Sequence, residues 1–290
     1  MINILKEKYV RLMGRLLRFK INVLNASQSI DYIKKNKVSV IRFGDGEFDL
    51  IRGNDIPYQK FDKRLGSDMK NIILKGTTDK VLVCLPDVFH NLDRYTEESK
   101  KFFYDYFFYQ NRNLLKEISK NKDKIYGSTF LSRPYIDMKE KNNADIYFKK
   151  LKSIWNDQDI LIVEGKLTRS GEGNDLFSSA KNIKRIICPS NNAFFKKEDI
   201  EQSIVEHSDN RLILLMLGPT AKIIVNDLSY LPNQMIDLGH IDTEYEWFKM
   251  GVTKKTKIPN KHTAEFNNDD STVIIDNNED FNKQIIDIVN

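Results

Sequence analysis

The sequence predicts an α/β protein with a largely parallel, twisted sheet flanked by helices. Short apolar runs rich in β-branched residues alternate with segments of helical periodicity, as in chains built from βα units. No Pro/Gly/Ser-rich linker divides the 290 residues, and a hydrophobic content of 40% is enough for a substantial core. We therefore expect one main domain.

The first helices are predicted near the N-terminus. Residues 3–20 have the periodicity of an amphipathic helix whose remaining positions are basic. Such a helix can lie on an anionic membrane surface, dock on a partner enzyme, or pack on its own domain. A second helix is expected over residues 27–35, with Asn25 or Ser27 as its cap. Residues 1–37 would form a basic helical segment ahead of the main domain.

The remaining elements alternate in type as far as residue 242. Strands, some including the turn that follows, are predicted at 38–43, 81–85, 125–130, 159–165, 184–190, 212–217 and 236–242. Helices are predicted at 61–74, 95–118, 144–155, 176–180, 199–207 and 221–228. We place the main domain at 38–266. Residues 267–290 would be a C-terminal extension with a short apolar run at 273–275 and a helix at 281–289.

Composition excludes several functional classes. The 46 basic and 41 acidic residues give a net charge of +5, a mixed surface unlike the concentrated basic field of a nucleic-acid-binding protein. Cys84 and Cys188 each lie in an apolar run that ends at a proline, so we expect buried thiols rather than a disulfide framework or a cysteine metal cluster.

No targeting or membrane-spanning segment is evident in the sequence. No run reaches the ~20 apolar residues of a transmembrane helix. Lys6, Lys8 and Arg11 interrupt any signal-peptide-like stretch. We therefore expect a cytoplasmic protein, which would be peripheral to the inner face of the membrane if the basic helix binds there.

Polar clusters follow the predicted strands. In open α/β sheets, ligands bind beyond the carboxyl ends of the strands, so these clusters predict one composite site. They contain Asp45 and Glu47; Ser132 and Arg133; Glu164 with Arg169, Asn174 and Asp175; Ser190 and Asn191; and His240 with Asp242.

The first cluster has the chemistry of a metal site. Asp45 and Glu47 alternate with Gly44 and Gly46, and in a bent loop their carboxylates could converge on Mg²⁺ or Mn²⁺. The alternative is an ordinary surface turn, because Asp and Gly are common turn residues.

Other positions suit a phosphate-bearing ligand. The turn from Gly218 to Thr220 opens a helix and suits an anion, unless Thr220 is only a cap. Arg133 and Arg169 offer planar donors for phosphate, although either could pair with a nearby acid. His240 is a metal-ligand or general-base candidate beside acidic residues, or a structural histidine.

Three common motifs are absent from the sequence. There is no Gly-x-x-x-x-Gly-Lys-Ser/Thr loop, no Gly-x-Gly-x-x-Gly turn after the first strand, and no Gly-x-Ser-x-Gly elbow. These absences argue against P-loop hydrolases, ordinary dinucleotide dehydrogenases and serine hydrolases.

One series of motifs runs in order from about residue 39 to residue 265. Its segments are 42–47, 132–135, 164–165, 173–177, 188–190, 218–221 and 239–247. The series resembles the GT-D type glycosyltransferases, which act in bacterial adhesin and related glycan pathways. The resemblance implies a Rossmann-like sheet, a nucleotide-sugar donor such as UDP-glucose or UDP-galactose, and a divalent metal bound through an Asp-x-Glu motif.

The resemblance and the residue chemistry together assign roles. The Asp-x-Glu motif is Asp45-Gly46-Glu47, and His240 is a further candidate metal ligand. Asp242 or Glu246 would deprotonate the acceptor, and Arg133 or Arg169 would share the diphosphate charge. The residues expected to contact the nucleotide-sugar are Arg42, Gly44, Arg133, Glu164, Asn174, Asp175, Ser190, Gly218 and Thr220.

The expected function is metal-dependent transfer of glucose or galactose from a UDP-sugar to a hydroxyl of a glycan on a bacterial glycoprotein or surface polysaccharide. Mn²⁺ or Mg²⁺ would be the cofactor. Two alternatives remain, a non-catalytic nucleotide-binding scaffold of a glycosylation complex and a metal-dependent phosphohydrolase. No nucleic-acid partner is expected, and a homo-oligomer is left open.

Overall fold

The computed structural model of the chain describes residues 2–259, 261, 266 and 278–290. Nine strands form one sheet in the order β1-β4-β3-β2-β8-β7-β5-β6-β9. Every adjacent pair is parallel, which confirms the predicted α/β class. The strands are β1 (Asn22–Val23), β2 (Ser39–Arg42), β3 (Val81–Leu85), β4 (Ile125–Ser128), β5 (Asp159–Gly165), β6 (Asn182–Cys188), β7 (Leu212–Met216), β8 (Met235–Asp237) and β9 (Ile285–Ile288).

Helices cover both faces of this sheet. The α-helices are α1 (Ile2–Leu16), α2 (Ala26–Asn36), α3 (Asp45–Ile51), α4 (Lys63–Lys75), α5 (Glu97–Phe102), α6 (Phe108–Gln110), α7 (Arg112–Ile118), α8 (Ala144–Lys152), α9 (Lys197–His207), α10 (Thr220–Asp227), α11 (Ile241–Met250) and α12 (Glu279–Asn282). A short 3₁₀ turn at Thr129–Ser132 follows β4, and another at Ala193–Lys196 precedes α9. A π-helical stretch at Phe103–Phe107 joins α5 to α6.

The sheet separates two apolar cores. Successive strand residues point to opposite faces, so Ile41 packs in one core and its neighbour Val40 packs in the other. The first core contains Phe48 and Phe107, and the second contains Trp155. Because both faces are covered, the strands read as continuous apolar runs, which is why the sequence predicts them well.

The N-terminal segment contributes to the same sheet. Asn25 caps α2 as predicted, because its Oδ1 accepts the Gln28 N–H at 2.8 Å and the Gln28 side chain accepts the Asn25 N–H. β1 pairs with β4, and Ser29 Oγ accepts the Ser128 N–H. The domain boundaries at residues 37 and 267 remain predictions.

The aromatic helix predicted at 95–118 is divided into α5, the π-helical stretch, α6 and α7. Phe103, Phe107 and Phe108 are buried, so this run belongs to the core. α1 packs closely on it through Gly14, where an added Cβ would lie 1.8 Å from the Tyr104 carbonyl oxygen. No helix in the described part of the chain is both long and apolar enough to cross a membrane.

Two predicted helices are wrong. Residues 176–180 form turns, and the helix predicted at 281–289 is replaced by α12 and by β9, which extends the sheet beside β6. Pairing with the otherwise open edge of β6 satisfies the backbone of β9, and this tertiary contact overrides the local helical pattern. The apolar run at 273–275 lies outside the described residues.

Candidate functional site

An open cleft lies beyond the carboxyl ends of β5, β6, β7 and β8. The residues that line it include Gly165, the last residue of β5, and Ser190, Gly218 and His240, which follow β6, β7 and β8. Tyr58, from the loop between α3 and α4, also lines it. The position matches the edge at which parallel α/β sheets bind ligands.

The Asp45–Glu47 segment begins a helix. The bent loop predicted there is wrong, because Gly44 is the N-cap of α3 and both carboxylates belong to the first helical turn. Glu47 Oε2 accepts the Gly44 N–H at 2.7 Å, which satisfies one of the free donors at the helix start. The negative charges also complement the positive end of the helix dipole.

Glu47 takes part in a buried charge network. Lys222 of α10 places its Nζ 3.0 Å from Glu47 Oε1 and 3.0 Å from Asp237 Oδ2, and it donates to the Gly218 carbonyl. All three charged side chains are buried. The network therefore connects α3, α10 and the end of β8. The sequence motifs did not identify Lys222 or Asp237.

Arg42 completes this network inside the protein. Its guanidinium pairs with Asp237 and donates to Ser132 Oγ at 2.6 Å. Burial alone would raise the Asp237 pKa, but Lys222 and Arg42 outweigh it and hold that pKa below its usual value. The Arg42 donors are thus directed to protein groups at the strand ends.

Asp45 differs from Glu47 in being accessible to solvent. Surrounding protein atoms still desolvate the Asp45 carboxyl and raise its pKa, an effect that the Glu47 charge strengthens and Arg133 opposes. Arg133 is held by Asp137, with its Nη2 3.1 Å from Asp137 Oδ2. The structure therefore brings the Arg133 charge near the accessible carboxylate of the Asp-x-Glu motif.

A second acidic pair lies in α11. Asp242 lines the cleft, and its Oδ1 accepts the Gly171 N–H and the Asn174 amide, both at 2.8 Å. The Asn174 amide also donates to Glu246 at 2.7 Å. Lys261 contacts both acids, at 2.8 Å from Asp242 and 2.9 Å from Glu246.

Burial and charge pairing shift the pKa values of Asp242 and Lys261. Burial raises the Asp242 pKa, although Lys261 and Asn174 oppose the shift. Burial would also lower the Lys261 pKa, but the two carboxylates outweigh it and raise that pKa. The predicted catalytic acids and Asn174 are thus brought together around one lysine.

Glu244, between these acids in sequence, points to another loop. Its Oε1 accepts the backbone N–H groups of Tyr135 and Ile136, both at 2.7 Å, and its Oε2 is buried without a hydrogen-bond partner. Burial raises its pKa to about 7. Glu244 holds the loop that carries Arg133, a role that no sequence pattern indicated.

Glu164 and Arg169 anchor the loop after β5. Glu164 is fully buried, accepts the Ser170 N–H at 2.8 Å and pairs with Arg185 of β6. Arg169 pairs with Glu172, and its guanidinium lies 4.4 Å from the ring centre of Phe281 in α12. Glu164 and Arg169 are not among the residues that line the cleft.

Asp175 faces away from this cluster. Lys152, Tyr245 and Lys249 all bond its half-exposed carboxylate, and the Lys152 hydrogen bond is the largest cause of its pKa lying well below the usual value. The structure therefore brings Asn174, but not Asp175, to the acidic pair on α11.

The remaining predicted residues surround the cleft. Ser190 Oγ accepts the Leu167 N–H at 3.2 Å, and the His240 ring packs edge-to-face on Tyr58 at 5.8 Å. Gly218 lines the cleft, while Thr220 behind it is fully buried at the start of α10. Tyr58 lies in a polar loop without a recognisable motif, so sequence patterns could not indicate it.

The acids at this edge fit a hard cation only in part. Asp45 offers an accessible carboxylate, whereas both oxygens of Glu47 already contact Gly44 or Lys222. Within the described residues, no three His, Cys, Asp or Glu side chains are grouped as a metal site. Mg²⁺-like ions need only one or two carboxylates when phosphates supply other ligands. The metal roles of Asp45, Glu47 and His240 stay predictions.

Comparison with known proteins identifies the family. Residues 40–266 match the model of the glycosyltransferase GT-D fold. The chain is 49% identical over 250 residues to a probable glycosyl transferase Gly of Streptococcus gordonii, covering 86% of this chain and 36% of the relative. It is 46% identical over 266 residues to glycosyltransferase GlyD of Streptococcus pneumoniae serotype 4, covering 92% of this chain and 32% of the relative. The chain thus spans about a third of the length of these curated relatives.

Solved structures agree with this assignment. A conserved domain of unknown function 1792, described as having a distinct glycosyltransferase fold, superposes with a TM-score of 0.88 at 45% identity, covering 97% of this chain and 98% of that one. A protein described as a new glycosyltransferase from Streptococcus sanguinis superposes with a TM-score of 0.86 at 47% identity, covering 93% and 100% of the two chains. The chain therefore belongs to the GT-D family of glycosyltransferases.

Proposed function

We propose that this chain transfers glucose or galactose from a UDP-sugar to a hydroxyl of a glycan on a bacterial glycoprotein or surface polysaccharide, with Mn²⁺ or Mg²⁺ as cofactor. Family membership supports glycosyl transfer. The observation that carries the finer proposal is the open cleft beyond β5 to β8, which has Asp242 in its wall and Tyr58 facing His240. β2 lies beside β8 in the sheet, and the chain continues from β2 through Phe43 and Gly44 to Asp45.

In this proposal the Asp-x-Glu motif holds the diphosphate end of the donor. Asp45 contributes the accessible carboxylate, while Glu47 fixes the first turn of α3 through Lys222. A bound Mn²⁺ would neutralise charge that develops on the leaving UDP. Arg133, held by Asp137, adds positive charge near Asp45. Tyr58 offers an aromatic ring against which the uracil base can pack.

Asp242 is the better candidate for the general base. It lines the cleft, whereas Glu246 is not among the lining residues. Its raised pKa brings it closer to the range in which a carboxylate accepts a proton effectively. Asn174 and Lys261 orient the carboxylate. Acceptor deprotonation would require the Lys261 contact to loosen, because a paired carboxylate is a weaker base.

Release of UDP tests this function. The purified chain is incubated with UDP-glucose or UDP-galactose, with Mn²⁺ or EDTA, and with or without acceptor glycan. We expect UDP release that requires both metal and acceptor, and a product heavier than the acceptor by one hexose. Asp175→Asn is a matched control, because Asp175 faces away from the cleft acids, and it should retain activity.

The same assay separates the two alternatives. Donor binding without UDP release under any condition would favour a non-catalytic scaffold. Free phosphate or sugar appearing at full rate without acceptor would favour a phosphohydrolase. We place the reaction in the cytoplasm, where the two buried free thiols, Cys84 and Cys188, would remain reduced.

A further inference from the structure

The inward side of α1 packs on the rest of the chain. Gly14 lies against the Tyr104 backbone, and Leu17, just after α1, packs on the adjoining apolar core. At the margins between this side and the outward side, Arg11 Nε lies 2.9 Å from Asp105 Oδ2 and Tyr9 packs edge-to-face on Tyr109, and the Arg11 and Tyr9 side chains remain exposed. These contacts fix α1 on the helical stretch from α5 to α6, so the orientation of its outward side is defined.

That outward side carries two adjoining stripes. At 3.6 residues per turn, Tyr9, Leu12 and Leu16 lie together on the helix surface. Their exposed fractions are 54%, 57% and 64%. Lys8, Arg11 and Arg15 form the neighbouring stripe, and all three are exposed.

Cations predominate on this surface, where Asp105 is paired with Arg11. The five charged residues between positions 8 and 20 are all cations. Arg112 extends the cationic side beyond α1, because its guanidinium lies 4.5 Å from the ring centre of Tyr109, which contacts Tyr9. Exposed leucines beside a cationic stripe are the pattern of helices that lie in the interface of an anionic bilayer.

We propose that the outward side of α1 binds an anionic membrane surface. Tyr9, Leu12 and Leu16 would enter the boundary between head groups and acyl chains, while the basic stripe contacts lipid phosphates. We assign a lipid surface as the occupant, because anionic lipids attract each basic residue near a membrane helix while the exposed leucines enter the head-group boundary.

Vesicle co-sedimentation of the full chain tests the proposal. We expect binding to vesicles that contain phosphatidylserine, little binding to phosphatidylcholine alone, and loss of binding at high salt. Replacing Lys8, Arg15 and Arg18 by glutamine should weaken binding roughly a hundredfold, at about 1 kcal/mol per basic residue near the surface. Leu12→Gln with Leu16→Gln should weaken it about tenfold or more.

Matched variants elsewhere on the surface provide the controls. Replacing the exposed Lys35, Lys63 and Lys181 by glutamine removes the same charge away from α1. Ile146→Gln with Val205→Gln removes two exposed apolar side chains from α8 and α9. Both sets should bind vesicles as the unaltered chain does. All variants should keep the same melting temperature and the same UDP release in solution.

Three outcomes would overturn the proposal. Binding that is equal on neutral and anionic vesicles would remove the electrostatic basis. Control variants that lose binding as strongly as the α1 variants would show nonspecific adsorption. A concentration-dependent dimer that dissociates in the Leu12→Gln, Leu16→Gln variant, without vesicle binding, would show that a second copy of the chain covers this surface.

Discussion

At the scale of single residues, Asp45 and Glu47 have different surroundings although only Gly46 separates them. Asp45 is accessible, with a raised pKa and Arg133 nearby. Glu47 is buried and contacts the Gly44 N–H and Lys222. In the first turn of a helix, positions two apart point in different directions. The motif therefore combines one solvent-accessible carboxylate with one that is held in a buried charge network.

Neutral variants of these two acids should differ in stability. Glu47→Gln should lower the free energy of unfolding by about 3 kcal/mol, because it removes one partner from a buried ion pair. Asp45→Asn should change it by about 0.5 kcal/mol or less, as for other exposed positions. Urea unfolding measures both values. Equal losses in the two variants would contradict the division of roles.

Glu244 should make stability depend on pH. Its folded pKa of about 7 lies above the ordinary value of 4.5, so between these values the folded state binds a proton that the unfolded state has lost. The stabilising contribution is complete below pH 4.5 and is lost as pH rises to 7. At about 1.4 kcal/mol per pKa unit, the total change is on the order of 3 kcal/mol.

Glu244→Gln separates this effect from other titrations. The glutamine retains an oxygen for the Tyr135 and Ile136 N–H groups but cannot ionise. Unfolding free energies of the variant, measured from pH 5 to pH 8, should fall less with pH than those of the unaltered chain. Parallel profiles would show that Glu244 is not the titrating group.

Sequence reasoning identified acids and glycines at strand ends but not their partners. Glu47 and Lys222 are far apart in the chain, and so are Arg42 and Asp237. In the sequence, Lys222 and Arg42 cannot be distinguished from ordinary surface cations, because only the fold places them beside buried acids. Arg42 was consequently expected to face the donor, whereas its guanidinium bonds Asp237 and Ser132.

At the scale of elements, the strands were the most predictable feature. β3, β5 and β7 are largely apolar runs, each followed or ended by a proline or glycine, because they are covered on both faces. α3 was missed, since it has seven residues and opens with Gly44-Asp45-Gly46, which also suits a turn. β9 was missed because only its pairing with β6 makes it a strand.

The turn between β8 and α11 depends on a glycine. Gly239 has φ +52°, and an added Cβ would lie 2.0 Å from Arg42 Nη2. Gly239→Ala should therefore displace Arg42 from Asp237 and lower the free energy of unfolding by about 3 kcal/mol or more. Thermal or urea unfolding gives the value.

Gly251 offers a matched control at the other end of α11. Its φ is +66°, but no atom lies within 4 Å of an added Cβ. Gly251→Ala should cost only the backbone strain, about 1–2 kcal/mol. A loss in Gly239→Ala no greater than this would show that the Arg42 contact does not matter for stability.

At the scale of the whole molecule, the cleft is assembled from distant parts of one sheet. β5, β6, β7 and β8 each deliver a residue to it. β2, which lies beside β8 in the sheet, leads to the Asp-x-Glu motif, whose residues are not among those that line the cleft. Parallel strands bring their carboxyl ends to one edge of the sheet, so polar clusters that directly follow strands could be used to predict the position of the site. The contributions of Tyr58 and Lys261 could not be predicted, because these residues come from loops without motifs.

The central claim is that this cleft binds a UDP-sugar through a divalent metal held by Asp45. Calorimetric titration with UDP, in Mn²⁺ or in EDTA, tests it most directly, with Asp45→Asn beside the unaltered chain and Asp175→Asn as control. We predict Mn²⁺-dependent UDP binding in the unaltered chain and in Asp175→Asn, and its loss in Asp45→Asn. UDP binding of equal affinity in EDTA, or in Asp45→Asn, would contradict the claim.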